Sequence, residues 1–340
     1  MIGVGIAGYG YWGPNLARNF TNQPDCSLVA IYDINPTRIA VAKKHYPHAE
    51  ITADYSRLLA NDSVRAILIS TPVSTHYALA KQALLAGKDV LIEKPMTQTV
   101  PEAAELIRIA KENKCILAID HTFIFTGAVQ KIKQIVDSGE LGSILYVDSV
   151  RVNLGLFQKD INVISDLAPH DLSIVSHVFG KKPVMVQAMG GCHTQNGLES
   201  MAYLHVEYDY NLIAHFHLSW VSPVKIRRTM IAGDRKMLVY DDLESSEKVK
   251  VYDRSVSIRS DDSEMIYNTI IDYRIGDMVA PWINQREALD AEAEHFLSCV
   301  RNRARPMIDG SAGMEVVRII EAAKTSLKNN GSRVAVEYGE

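Results

Sequence analysis

Residues 2–20, Ile-Gly-Val-Gly-Ile-Ala-Gly-Tyr-Gly-Tyr-Trp-Gly-Pro-Asn-Leu-Ala-Arg-Asn-Phe, decide how the rest of the chain is read. Ile2–Ala7 predicts a strand, and about Gly13–Asn22 a helix. Between them Gly8, Gly10 and Gly13 form a G-x-G-x-x-G turn. A second register, Gly3/Gly5/Gly8, fails because only two residues precede Gly3 and the motif must follow a strand. Pro14 suits a first helical turn, where its missing N–H has no intrahelical partner. In this pattern Gly8 permits the tight turn, Gly10 admits backbone close to a pyrophosphate, and Gly13 lets helix and strand approach. Unpaired N–H groups and the positive dipole end of the helix then attract an anion, with Tyr11 and Trp12 flanking it.

Outward from that turn, short apolar runs alternate with helical patterns. Ser27–Tyr32, Ala66–Ser70, Val90–Glu93 and Cys115–Asp120 read as strands, and Pro36–His45, Thr75–Ala86 and Pro101–Asn113 as helices. Such alternation predicts βαβ units and a parallel sheet. Strands apolar throughout are expected to be covered on both faces. Asp33 ends the second strand about 20 residues past the glycines, where a carboxylate accepts ribose hydroxyls and repels a 2′-phosphate, so NAD is favoured over NADP. Arg38 nearby is a candidate phosphate neighbour.

Past Gly127 the rhythm changes. Helices are expected over Ala128–Ser138, about Asp166–Phe179, Gln285–Val300 and Ser311–Asn329. Strands are expected over Ile144–Asn153, Val184–Met189, Met201–Tyr208, Asn211–Trp220, Arg228–Ile231, Met237–Tyr240 and Lys248–Asp253. Consecutive strands without helices between them predict a mostly antiparallel or mixed sheet, with a hairpin at the turn Tyr208-Asp-Tyr-Asn211. The class is therefore α/β: a doubly wound Rossmann domain over 1–122, then an α+β domain over 123–340 with a large open sheet. Alternating apolar residues such as Ala214-His-Phe-His-Leu218 leave one sheet face for a second subunit, so a homodimer or homotetramer is expected.

Composition sets the outer limits. Three hundred and forty residues, 47% hydrophobic and 22% charged, describe a two-domain globular chain. Lys+Arg 36 against Asp+Glu 40 gives a net charge of −4, without the basic excess of a nucleic-acid binder. No run is long and apolar enough for a membrane span and no basic leader opens the chain, so a cytoplasmic protein is expected. Cys26, Cys115, Cys192 and Cys299 lack paired spacing and read as reduced residues. His45, His48, His193, His205, His215 and His217 form no ligand constellation, and no metal is expected.

Three further features coincide in order along the chain: Thr71-Pro72 with His76, Glu93-Lys94-Pro95, and Asp166-x-x-x-His170, all after the glycine turn. Together they resemble the glucose–fructose oxidoreductase, inositol dehydrogenase and MocA family over nearly the whole length. A narrower set resembles its nucleotide-sugar 3-dehydrogenases, which oxidise UDP-N-acetylglucosamine: Gly10–Phe20, Asn153-Leu-Gly-Leu-Phe157, Asp160-Ile-Asn-Val163, Asp166–Ser173 and Ser219–Lys225. Ser165 stands where such relatives are expected to carry an aromatic residue.

The resemblance implies an NAD-dependent enzyme acting on CH–OH groups, with His170 as base, Lys94 as electrostatic partner and Asp166 orienting sugar or imidazole. Glu93, Thr71, Pro72 and His76 fall on its cofactor side, with a cis peptide before Pro95. Pro169 fits only a first helical turn, so Asp166 or Ser165 is the expected N-cap, which places His170 near the dipole's positive end. His121, Phe123, Asn153 and Asn162 are candidate substrate contacts. Arg151, Lys159 and Lys225 are candidate diphosphate cations, joined by Arg227 and Arg228. Phe125, Phe157 and Trp220 are candidate stacking surfaces, with core packing as the default. Alternative readings are a 3-keto deoxy-sugar reductase, an inositol-type dehydrogenase, or a non-catalytic nicotinamide-sensing protein.

Overall fold

The computed structural model describes residues 1–155, 157, 161–193, 197–259 and 270–338. Lys159 lies outside them. Two compact units are present: Met1–Thr126 with Arg286–Glu321, and Gly127–Gln285 with Ala322–Glu340.

In the first unit the order is β1 (Ile2–Ala7), α1 (Gly13–Thr21), β2 (Cys26–Tyr32), α2 (Pro36–His45), β3 (Glu50–Thr52), α3 (Tyr55–Ala60), β4 (Ala66–Ile69), α4 (Val73–Leu85), β5 (Asp89–Glu93), α5 (Val100–Glu112) and β6 (Leu117–Asp120). The strands form a parallel sheet ordered β3-β2-β1-β4-β5-β6. Successive residues feed opposite cores, as a strand's period of two requires. Ile67 and Ile69 join Leu84, Leu106 and Ile109 on one face, while Leu68 joins Leu16 and Phe20 on the other. The expected burial of both faces is present. The short β3 and α3 carry no long apolar run and escape a reading by pattern.

The second unit holds α6 (Gly127–Asp137), β7 (Ile144–Leu154), α7 (Val163–Phe179), β8 (Pro183–Gly191), β9 (Met201–Tyr208), β10 (Ile213–Ser219), β11 (Val221–Gly233), β12 (Met237–Asp241), β13 (Val249–Arg259) and β14 (Ile270–Val279). After α8 (Ala288–Asn302) and α9 (Gly310–Lys328), β15 (Val334–Ala335) completes its sheet. Among the described residues the order is β14-β13-β12-β11-β7-β10-β9-β8-β15. Pairings are antiparallel except for β7 with β10. The expected hairpin at Tyr208–Asn211 is present, with Tyr210 and Asn211 at positive φ.

One assignment changes. A single cut at 122 gives the helix near Gln285–Val300 to the second domain, yet α8 packs in the first unit. Leu289, Phe296 and Leu297 enter the core of Leu16 and Phe20, with the Phe20 and Phe296 rings 6.1 Å apart. Hydrophobic burial, not chain order, places this helix. No helix among the described residues is long and apolar enough to cross a membrane.

Candidate active site

In the first unit, the ends of β1, β2 and β4 meet at the glycine turn. Gly8 has φ +97°, and a Cβ there would lie 2.8 Å from the Ser70 carbonyl oxygen. A Cβ on Gly13 would lie 2.3 Å from the Gly8 carbonyl oxygen, so close helix–strand approach excludes any side chain. The nearest atoms to a Cβ on Gly10 would be those of the Arg38 guanidinium, from 3.4 Å, an ordinary contact with a flexible side chain. Trp12 stands at the N-cap of α1 without a side-chain cap; Pro14 carries no N–H, and the Asn15 N–H already donates to the Trp12 carbonyl oxygen at 2.9 Å, so an anion there would meet the Gly13 end of the helix. Tyr11 is exposed and edge-on to Trp12 at 5.7 Å.

Asp33 follows β2 and is buried. Its Oδ2 accepts the Tyr9 N–H at 2.7 Å and its Oδ1 the Asn35 N–H at 2.8 Å. Arg38 Nη1 lies 3.6 Å from Oδ2, so the cation expected as a phosphate neighbour is paired with the Asp33 carboxylate. An open glycine turn, an uncapped helix and an acidic residue together fit NAD. Thr71 borders the turn, its methyl 2.9 Å from the position of a Gly8 Cβ, and Pro72 is the exposed N-cap of α4.

His76 is enclosed. Its Nδ1 lies 2.9 Å from the Pro95 carbonyl oxygen and its Nε2 2.8 Å from that of Thr71. A direct cofactor contact is thereby corrected: the ring braces the two backbone turns that carry Thr71 and Lys94. Burial pushes its pKa down, while the two carbonyls oppose the shift. Glu93 is buried at the end of β5, Lys94 is half-buried, and the Lys94–Pro95 peptide is cis. His121 is 1% exposed, with both ring nitrogens enclosed. Burial, then the Lys94 charge, pushes it down to about 3, a neutral imidazole at physiological pH. Phe123 is half-buried in the 3-10 turn Thr122–Phe125.

In the second unit, α7 begins earlier than expected. Asn162 is its N-cap, accepting the Ser165 N–H at 3.0 Å and donating to Glu199 at 2.9 Å. The candidate sugar contact Asn162 is thus a helix cap, and neither Asp166 nor Ser165 has that role. Pro169 lies inside the helix rather than in its first turn, and His170 sits two turns in. The dipole argument for a neutral His170 fails, because that field fades within the first turn. Asp166 and His170 remain one turn apart on α7, both half-buried.

Sequence reasoning missed what fixes Asp166: the indole N–H of buried Trp220 donates to its Oδ2 at 3.1 Å. Trp220 is therefore a core residue with a polar anchor, and Phe157 packs edge-on to it at 5.7 Å. Ser165 is buried.

Of the expected diphosphate cations, Arg151, Arg227 and Arg228 are each paired with a carboxylate. Arg151 is buried in a two-bond pair with Asp171, Nε to Oδ2 at 2.9 Å and Nη2 to Oδ1 at 2.7 Å. Desolvation of a lone guanidinium demands such a partner, so Arg151 and Asp171 are accounted for by each other. Arg227 pairs with Asp242 and Arg228 with Asp241. Asn153 is half-buried and Lys225 exposed on β11. No cluster of histidine, cysteine and acidic residues able to hold a metal occurs among the described residues.

Residues 2–121 match the oxidoreductase family model for an NAD-binding Rossmann fold, and 133–336 match that family's C-terminal alpha/beta domain. UDP-N-acetylglucosamine 3-dehydrogenase of Acidithiobacillus ferrooxidans is 30% identical over 92% of this chain and 93% of its own. Its solved structure superposes with a TM-score of 0.81 and 26% identity, covering 97% and 98% of the two chains. The NADP-dependent scyllo-inositol 2-dehydrogenase of Bacillus subtilis is 24% identical over 96% and 94%. The chain belongs to the glucose–fructose oxidoreductase, inositol dehydrogenase and MocA family of NAD(P)-dependent oxidoreductases.

Proposed function

We propose that this enzyme oxidises the 3-hydroxyl of a nucleotide-linked sugar, UDP-N-acetylglucosamine, to the ketone. The supporting observation is the Asp166–His170 pair on α7, with Asp166 fixed by Trp220, in a chain 30% identical to such a dehydrogenase over 92% of its length. Oxidation of a secondary alcohol removes one proton and one hydride. When bound, NAD supplies the hydride acceptor. His170 takes the hydroxyl proton, Lys94 offsets the charge developing on that oxygen, and Asp166 positions the sugar or imidazole. Glu93, Gly8, Gly10, Gly13 and Asp33 serve the cofactor side.

The test is spectroscopic. UDP-N-acetylglucosamine with NAD should yield NADH and a sugar lighter by two hydrogens. His170→Ala should lower kcat by about 10³-fold and Lys94→Ala by about 10²-fold or more, with NAD still bound. Wild-type turnover in either variant overturns the assignment. NADH formed from myo-inositol and not from the UDP-sugar supports the polyol reading instead.

A second copy of this chain on the open face of the nine-stranded sheet is part of the same proposal. Met189, Tyr203 and Met230 are exposed there, around the stacked Tyr203 and His217 rings at 4.6 Å. Burial of such a patch stabilises association. Light scattering at micromolar concentration should report at least a dimer.

A further inference from the structure

Beside Lys94 lies a group of buried acids, two of which, Asp120 and Glu292, have no part in the reaction above. Glu93 and Asp120 end β5 and β6 and are register partners across the parallel pair. The Thr122 hydroxyl donates to Asp120 Oδ1. Glu292 joins them from α8, where it lies between Leu289, Ala293 and Phe296, on the face that builds the core. Asp120 and Glu292 are each 2% exposed, and His121, equally enclosed, adds no charge. The charged groups acting on this pair are Glu93 and Lys94, and His121 follows Asp120 directly in the chain.

Three ionised carboxylates beside one ammonium would leave a net charge of −2, with all three acids buried. Burial and like-charge repulsion both oppose that state. Burial pushes both Asp120 and Glu292 above the usual carboxylate range; the Asp120 and Glu93 charges add to the shift at Glu292, while hydrogen bonding from Thr122 and Glu292 and the Lys94 charge hold Asp120 back. With both acids ionised, Asp120 Oδ2 and both Glu292 carboxyl oxygens are enclosed without a hydrogen-bond donor among the described residues, and two such carboxyls lose their protons in two separate steps whose pKa values belong to the pair.

We propose that Asp120 and Glu292 retain a shared proton at neutral pH and act as a positioning pair, leaving Glu93 as the counter-anion of the Lys94 ammonium. Loss of that proton at alkaline pH places a further negative charge beside Lys94. The ammonium is then drawn toward the protein interior and away from the developing alkoxide. This second step rests on the catalytic reading of Lys94; the proton itself does not.

Infrared titration of the unaltered protein separates the two. Exposed carboxyls are ionised at pH 7, so a carboxylic-acid C=O band persisting there reports a buried acid. The band should disappear in Glu292→Gln, whose neutral amide replaces the protonated acid. A wild-type spectrum without the band at pH 7 overturns the proposal, whether or not the variant folds. So does a band that survives in both Glu292→Gln and Asp120→Asn. For the positioning role, the alkaline fall of kcat should shift upward or vanish in Glu292→Gln, with turnover at pH 7 retained. An unchanged pH profile in a variant that has lost the band overturns that role.

Discussion

The glycine turn of the first unit and the α7 helix of the second carry motifs of similar length, yet they behave differently on folding. In the turn each residue type does what its local conformation requires: Gly8 at positive φ, Gly13 against a carbonyl, Asp33 accepting backbone N–H groups. On α7 the polar residues answer to partners far along the chain. Asp166 is held by Trp220 and Asp171 by Arg151, while the cap is Asn162, before the motif begins. A turn is decided by sterics within a few residues; a buried charge is decided by whatever desolvation brings to meet it.

Removing one member of the buried pair is the strongest way to break this comparison. Arg151→Met strands the Asp171 carboxylate and should cost about 3–5 kcal/mol in urea unfolding. Arg151→Met with Asp171→Leu should recover most of it. A loss in the single variant no larger than about 1 kcal/mol, the scale of an exposed pair, would show that the α7 side is as locally determined as the turn.

Gly13→Ala attacks the other region. Its methyl would sit 2.3 Å from the Gly8 carbonyl oxygen, so stability should fall by up to about 3 kcal/mol. Gly10→Ala has room to fold and should lose NAD affinity alone, measured by titration calorimetry. Equal unfolding losses in both would erase the distinction between packing and ligand approach.

A smaller effect sharpens the contrast within the first unit. His121 titrates at about 3 when folded, against an ordinary 6.5. As pH falls below 6.5 the unfolded chain takes up this proton first, so stability drops by about 1.4 kcal/mol per pH unit until the folded group also titrates. His121→Gln lacks that proton, and its thermal midpoint should fall less steeply from pH 6.5 to 5. Identical slopes would mean the ring is not buried neutral.

Much of the fold was legible because apolar runs repeat with the period of their element. The β1–α1 boundary, the parallel sheet and the hairpin at Tyr208–Asn211 followed from residues close in sequence. The short β3 and α3 were not legible, having too few apolar positions to show a period. In the site, Gly8, Gly13, Asp33 and the Asp166–His170 spacing were readable. The enclosure of His76, the pairing of Arg151 and the Asp120–Glu292 contact were not. A carboxylate on the core face of α8 leaves a signal only as one acid among apolar neighbours, which does not name its partner.

The sequence by itself determined the Rossmann half, the acidic residue that favours NAD, and the spacing that puts Asp166 and His170 one turn apart. These are consequences of backbone sterics and helical period, which act over a few residues. Only the tertiary structure decided that α8 belongs with the first unit, that Arg151 is committed to Asp171, and that two acids lie together beside Lys94. Burial does not depend on sequence distance, and the cost of an unpaired buried charge is met by whichever residue the fold brings beside it.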